Sequence, residues 1–103
     1  MSHRVLKTPQ ASNDLLEIAS FIALDNVDAA ERFLDAAEAA FAELAALPAL
    51  GQAVGFQSVL AQGMRVWRVE GFERYLIFYR LAESSLEVVR VLHAARNFPT
   101  LFE

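Results

Sequence analysis

The sequence predicts an α+β fold: an N-terminal strand, an antiparallel two-helix hairpin, then a three-stranded antiparallel meander, with the helices packed on one face of a curved sheet. Three observations carry this expectation. Apolar residues recur at helical spacing from Ala11 to Leu47, the pattern turns strand-like from Met64 onward, and turn residues fall at the joints between the blocks. At 103 residues, 55% of them apolar, the chain has room for one core and reads as a single domain over residues 1–103, not as a disordered segment.

The segment HRVLK (3–7) is a short candidate strand ended by Thr8-Pro9. Thr8 suits an N-cap and Pro9 the first helical position, where a missing N–H costs nothing. Ala11, Leu15, Ile18, Ala19 and Ile22 then form one apolar stripe, off which Asp14, Glu17 and Asp25 fall. LDNVD (24–28) interrupts the pattern. Asp28 and Glu31 have capping-box spacing and are expected to open the second helix. Phe33, Leu34, Ala37, Phe41, Leu44 and Leu47 make its apolar face, and Pro48 closes it. Nine of the nineteen residues from Ala29 to Leu47 are alanine, which raises helix propensity and permits close approach of a neighbouring backbone. The short connection predicts an antiparallel hairpin.

PALGQAVGFQ (48–57) reads as a loop. MRVWRV (64–69), RYLIFYRL (74–81) and LEVVRVLHA (86–94) are rich in aromatic and β-branched residues, and EGFE and AESS link them as tight turns. Strand parity places Tyr75 and Tyr79 on one side, separates Arg65 from Arg68, and lets Arg80 and Arg90 flank one patch on neighbouring strands. Trp67 and Phe78 are expected in the core.

Composition narrows the function. Without cysteine, neither disulfides, thiol catalysis nor a cysteine-based zinc site is available. His3 and His93 are far apart in sequence, so no metal and no cofactor is expected. No apolar run is long enough to span a bilayer and no signal peptide opens the chain, which leaves a cytoplasmic protein without a membrane role as the expectation. The net charge of −4 is unevenly held: residues 1–62 carry three cations and eight carboxylates, whereas residues 63–103 carry six arginines and five glutamates. A chain that coats nucleic acid is usually basic overall, so direct sequence-specific nucleic-acid binding is not expected. Arginines do suit carboxylate, phosphate and aromatic partners.

The run from DLLEIASF through LPALG, followed by GMRVW, YLIFYRL and VVRVLHAARN, resembles the RelE/ParE toxin superfamily, and more narrowly its ParE branch of plasmid stabilisation proteins. The resemblance spans about Ala11 to Asn97. It rests on the Asp14-Leu15 and Glu17-Ile18 pairs, Pro48 with Gly51, Tyr79-Arg80, and His93 with Arg96. It implies the toxin component of a type II toxin–antitoxin system that inhibits DNA gyrase by protein contact and forms a hetero-oligomer with a ParD-like antitoxin. RelE-type members instead cut mRNA on the ribosome, chemistry that needs a base, a proton donor and cations for the phosphorane. Against that pattern Tyr75 stands where a catalytic arginine would be, Arg96 matches another arginine, and Phe102 replaces the proton-transferring tyrosine. An inactive antitoxin-binding regulatory module is the third reading.

The candidate target- or antitoxin-binding residues are Arg65, Tyr79, Arg80, Arg90, His93 and Arg96. If the chain were a ribonuclease, His93 and Arg96 would be the catalytic pair. Arg96 lies past the last apolar run, and the strand 88–93 is expected to deliver His93 and Arg96 to the rim of the sheet. Asp14 and Glu17 have the spacing of paired carboxylates, but a solvated helix face accounts for them. A mean hydropathy of +0.30 suggests an apolar groove along the helix hairpin or beside a sheet edge, suited to an antitoxin helix or added strand, while sheet arginines could meet an acidic antitoxin tail.

Overall fold

A computed structural model describes residues 2–55 and 62–95. The elements are β1 (Arg4–Lys7), α1 (Pro9–Ala23), α2 (Val27–Ala46), a 3-10 turn (Pro48–Leu50), β2 (Gln52–Ala53), β3 (Arg65–Val69), β4 (Phe72–Ala82) and β5 (Ser85–His93). They form the expected α+β arrangement, with one sheet in the order β1-β5-β4-β3-β2. The meander is antiparallel, and β1 joins its far side parallel to β5, with Arg4 opposite Ser85 and Lys7 opposite Val88.

Each helix starts where its cap can bond the free N–H groups of the first turn. Thr8 Oγ1 accepts from Ala11 N at 3.0 Å, with Pro9 beginning α1 as expected. For α2 the cap is Asn26, whose Oδ1 accepts from Ala29 N at 3.0 Å, and not Asp28. Asp28 sits inside the first turn, where its charge favours the helix dipole without closing a capping box.

The helices cover one face of the sheet. Ala11 and Leu15 from α1, with Phe33, Ala37, Phe41 and Leu44 from α2, meet Val69, Ile77, Tyr79, Leu86, Val88 and Val91 in the main core. Trp67 packs against this core half-buried. Leu47, expected on the apolar face of the second helix, is 59% exposed, because it leaves the helical conformation at the C-cap and swings off that face. The opposite face of the sheet holds a smaller cluster of Met64, Phe78 and Leu92. The sheet register shifts between Phe78 and Tyr79, where Val88 and Arg90 are successive partners and Val89 is the extra residue of β5.

The loop expected after α2 contains a further strand, the fifth of the sheet. β2 pairs Gln52 with Val66 and Ala53 with Arg65, a strand too short to leave a periodic signal. Tyr79 explains its position. The phenol is fully buried, donates to Pro48 O at 2.6 Å and accepts from Gly51 N at 2.9 Å. Arg65 Nη1 adds a bond to Gly51 O at 2.6 Å. Gly51 is required here by close approach: a Cβ would collide with the Tyr79 hydroxyl and lie 2.7 Å from Val66 O. Burial pushes the Tyr79 phenol above its ordinary pKa, with the Gly51 N–H and the charge of Arg65 opposing the rise.

Two outcomes are expected at this corner. Gly51→Ala costs about 1–3 kcal/mol by overpacking, and Tyr79→Phe a similar amount by stranding two backbone groups; urea unfolding measures both. The folded protein retains a proton that the unfolded phenol loses near pH 10. The phenol's contribution is therefore complete below about pH 10 and lost as pH rises through the higher folded value. Tyr79→Phe removes that part of the alkaline fall.

Candidate functional site

The C-terminal end of β5 is expected to bring His93 and Arg96 to a rim, and of these two the structure describes His93. The largest correction concerns Asp14. Its side chain does not sit on a solvated helix face: the residue is 6% exposed and faces the edge of β5. Asp14 Oδ2 accepts from Arg90 Nε at 2.8 Å and Oδ1 from Arg90 Nη2 at 2.9 Å, a two-pronged pair. Oδ2 also accepts the backbone Val91 N at 3.0 Å. The bond to Asp14 is the main cause that raises the Arg90 pKa above its ordinary value; burial opposes it, and the charges of Asp14 and Glu17 reinforce it.

Arg80 reaches a different carboxylate, Glu87, at 2.9 Å across the β4–β5 pair. Arg80 and Arg90 each hold a separate carboxylate, Glu87 across the strand pair and Asp14 on α1. Arg65 is bound to Gly51 O, and Tyr79 is inside the core, where a partner cannot touch it. Of the candidate binding residues, Arg65, Arg80 and Arg90 make internal bonds and Tyr79 is a structural post. Glu17, the supposed second member of a carboxylate pair, accepts from Asn13 Nδ2 at 3.1 Å on the exposed surface.

His93 does stand at the rim, half-buried at the end of β5. Its ring meets Tyr75 edge-on at 5.2 Å, Tyr75 meets Phe33 at 5.3 Å, and Phe33 meets Phe72 at 5.4 Å. This aromatic row runs from the rim into the hairpin core. His93 Nδ1 accepts from Ala95 N at 3.0 Å, which leaves the neutral ring with its proton on Nε2. Arg96 and Phe102 lie outside the described residues.

Two surface features join the residues singled out by sequence. A cleft of about 170 Å³ between α2 and β3 is lined by Ala36, Ala39, Ala40, Glu43, Trp67, Arg68 and Glu70. Arg68 lies over the Trp67 ring at 4.6 Å. The outer arc of the hairpin exposes Leu16, Phe21, Leu24 and Val27. Among the described residues no group of His, Asp and Glu is arranged to hold a metal ion, and no helix is long and apolar enough to cross a membrane.

The Asp14–Arg90 pair was missed, although a signal for it exists. Asp14 follows Ala11 by three and precedes Ile18 by four, so it lies on the buried arc of α1, where a carboxylate requires a partner.

Comparison with known proteins agrees with this geometry. A family model described as the ParE toxin of the type II toxin–antitoxin system parDE matches residues 5–98. The solved structure titled "Chromosomal ParDE TA system from P. aeruginosa" superposes with a TM-score of 0.71 at 15% sequence identity, covering 89% of this chain and 96% of that one. At that identity the likeness is one of fold. A search of curated proteins finds no significant match.

Removing the Asp14 carboxylate is expected to destabilise strongly. Asp14→Ala costs about 3 kcal/mol, since it strands a half-buried guanidinium and a buried N–H. Asp14→Asn, which keeps an acceptor for Val91, costs less. The double change Asp14→Leu with Arg90→Met recovers part of the loss, and urea unfolding of all three ranks them.

Proposed function

Since the chain belongs to the ParE toxin family of type II toxin–antitoxin systems, we propose that it arrests growth by contacting DNA gyrase and is neutralised by a ParD-like antitoxin. Membership in a parDE system supports an antitoxin partner; gyrase as target follows the ParE branch that the sequence resembles. The observation that best supports contact over chemistry is the fate of the sheet cations. Arg65, Arg80 and Arg90 make internal bonds to Gly51, Glu87 and Asp14, so they are engaged in holding the fold and not gathered around a phosphate. Tyr75, which takes the place of a catalytic arginine in the RelE pattern, is packed between Phe33 and His93.

His93 and Arg96 form the target-facing rim in this proposal. A second reading, cleavage of mRNA on the ribosome, draws on the half-buried His93 ring at the sheet rim. It needs a base there, yet the Nδ1 lone pair is already used by Ala95 N.

Pulse-labelling after induction of the chain alone in a bacterium separates these readings. DNA synthesis is expected to fall within minutes with translation spared, and purified gyrase is expected to accumulate on cleaved DNA. Early arrest of translation would instead favour the ribonuclease, and unimpeded growth the regulatory module. Replacing His93 and Arg96 by alanine together is expected to weaken growth arrest or antitoxin affinity at least several-fold; if both are unchanged, the rim has no part in either.

A further inference from the structure

β2 stops short of the strand it borders. It pairs Gln52 with Val66 and Ala53 with Arg65, whereas β3 runs on to Val69. Before Gln52 the chain has turned away at Gly51, whose N–H is given to the Tyr79 hydroxyl. Among the described residues no strand therefore pairs with β3 on that side past Val66, and a cavity of about 300 Å³ opens there. Leu50, Gln52, Val66, Trp67, Arg68 and Leu76 line it. Leu50 and Trp67 border the main core, Val66 and Leu76 the smaller cluster on the other face, and all four are half-buried. Two polar groups join these walls, the Gln52 amide and the Arg68 guanidinium, on exposed residues. The guanidinium is stacked 4.6 Å over the Trp67 ring. Among the described residues it makes no hydrogen bond or ion pair, whereas Arg65, Arg80 and Arg90 are bonded to Gly51, Glu87 and Asp14.

We propose, independently of the toxin reading, that this cavity captures the C-terminal residue of a protein partner. Its apolar side chain lies against Leu50, Val66, Trp67 and Leu76, and its terminal carboxylate meets Arg68, with the Gln52 amide donating beside it. Apolar walls with a few convergent polar groups are the make-up of a ligand pocket. Stacking fixes the plane of the Arg68 guanidinium and leaves its N–H edges free for a forked bond to a carboxylate. Trp67 and Arg68 are consecutive, so the apolar and anionic parts of the ligand must lie within one residue of each other. The last residue of a chain carries both on one Cα. Glu43 and Glu70 line the adjoining cleft on the α2 side with Trp67 and Arg68, beyond ion-pair distance of the guanidinium. Their charge opposes simple anions such as phosphate, so the apolar anchor is a required part of the ligand.

The tripeptide N-acetyl-Gly-Gly-Leu tests this, once with a free terminal carboxylate and once as the terminal amide. Each is titrated into the isotope-labelled full chain, where the Trp67 indole N–H and the amides of Leu50, Gln52, Val66, Arg68 and Leu76 report site and affinity. The acid is expected to shift these signals and to bind at least about fivefold tighter than the amide at low salt, the worth of one exposed charge pair. Added salt narrows that gap. Sodium acetate alone is expected to shift none of them. Arg68→Gln brings the acid down to the affinity of the amide without lowering the melting temperature, and Leu50→Ala weakens both peptides.

Equal affinities of acid and amide in the unaltered protein, absence of shifts at millimolar peptide, or shifts confined to the helices would each overturn the proposal. So would acetate shifting the same signals as strongly as the acid peptide, which marks a site for any anion. An amidated peptide with an internal Leu-Glu pair that binds as tightly as the free acid would overturn it too, since a side-chain carboxylate would then serve. None of these results alters the labelling outcome that tests the toxin reading.

Discussion

The contact between the start of α1 and the edge of β5 is the constraint on which the sheet depends. β1 ends at Lys7, opposite Val88, yet β5 continues to His93. Backbone groups on that edge still need partners once the neighbouring strand has gone. Thr8 N bonds Val88 O at 3.0 Å, and the Thr8 hydroxyl donates to Val89 O at 2.7 Å while accepting from Ala11 N. One turn further on, Asp14 takes Val91 N and clamps Arg90. Side chains of a helix thus substitute for a sixth strand, and the helix N-cap and the sheet edge are satisfied by the same threonine. The bulge at Val89 lies in this stretch, where the edge changes from strand partner to helix partner.

A second economy concerns charge. A chain with nine cations and thirteen carboxylates could have offered its arginines to a partner. Three of those on the sheet are instead internal fasteners of unequal weight. Asp14–Arg90 is largely buried and bidentate, so its loss is costly. Arg80–Glu87 is about one-third exposed on both sides and contributes little beyond register. What remains outward on the hairpin is apolar and mostly acidic, with Arg32 as an exposed cation. The surface character of this protein is set by which charges the fold consumes, and cannot be read from the net charge.

Layer order and the helix stripes were legible in the sequence because each follows a period that many residues enforce together. Ala11, Leu15, Phe33, Phe41 and Leu44 are buried as their spacing requires. What was hidden depended on single residues. The Asn26 cap competed with an equally good Asp28–Glu31 pattern, and local spacing does not say which residue leaves the helical conformation first. β2 contains two residues and owes its place to a tyrosine hydroxyl 28 positions away from Gly51. The carboxylates that Arg80 and Arg90 hold, Glu87 beside a one-residue bulge and Asp14 on a distant helix, depend on register and long-range contact, which leave no trace in an apolar pattern. Of the described binding candidates, His93 stands at the end of β5, whereas Arg65, Arg80, Arg90 and Tyr79 have donors that the backbone and carboxylates already claim.

The parallel pairing of β1 with β5 has a consequence for the order in which the molecule is made. β5 lies between β1 and β4 and contributes Leu86, Val88 and Val91 to the main core, yet it follows every other described strand in sequence. A nascent chain that has released both helices still lacks the surface they cover, and its first strand has no neighbour to bond. Contacts of such long sequence separation form late and slowly. During synthesis the sheet therefore stays incomplete until β5 clears the ribosome tunnel. The sheet is thus completed in one late step and not progressively along the chain.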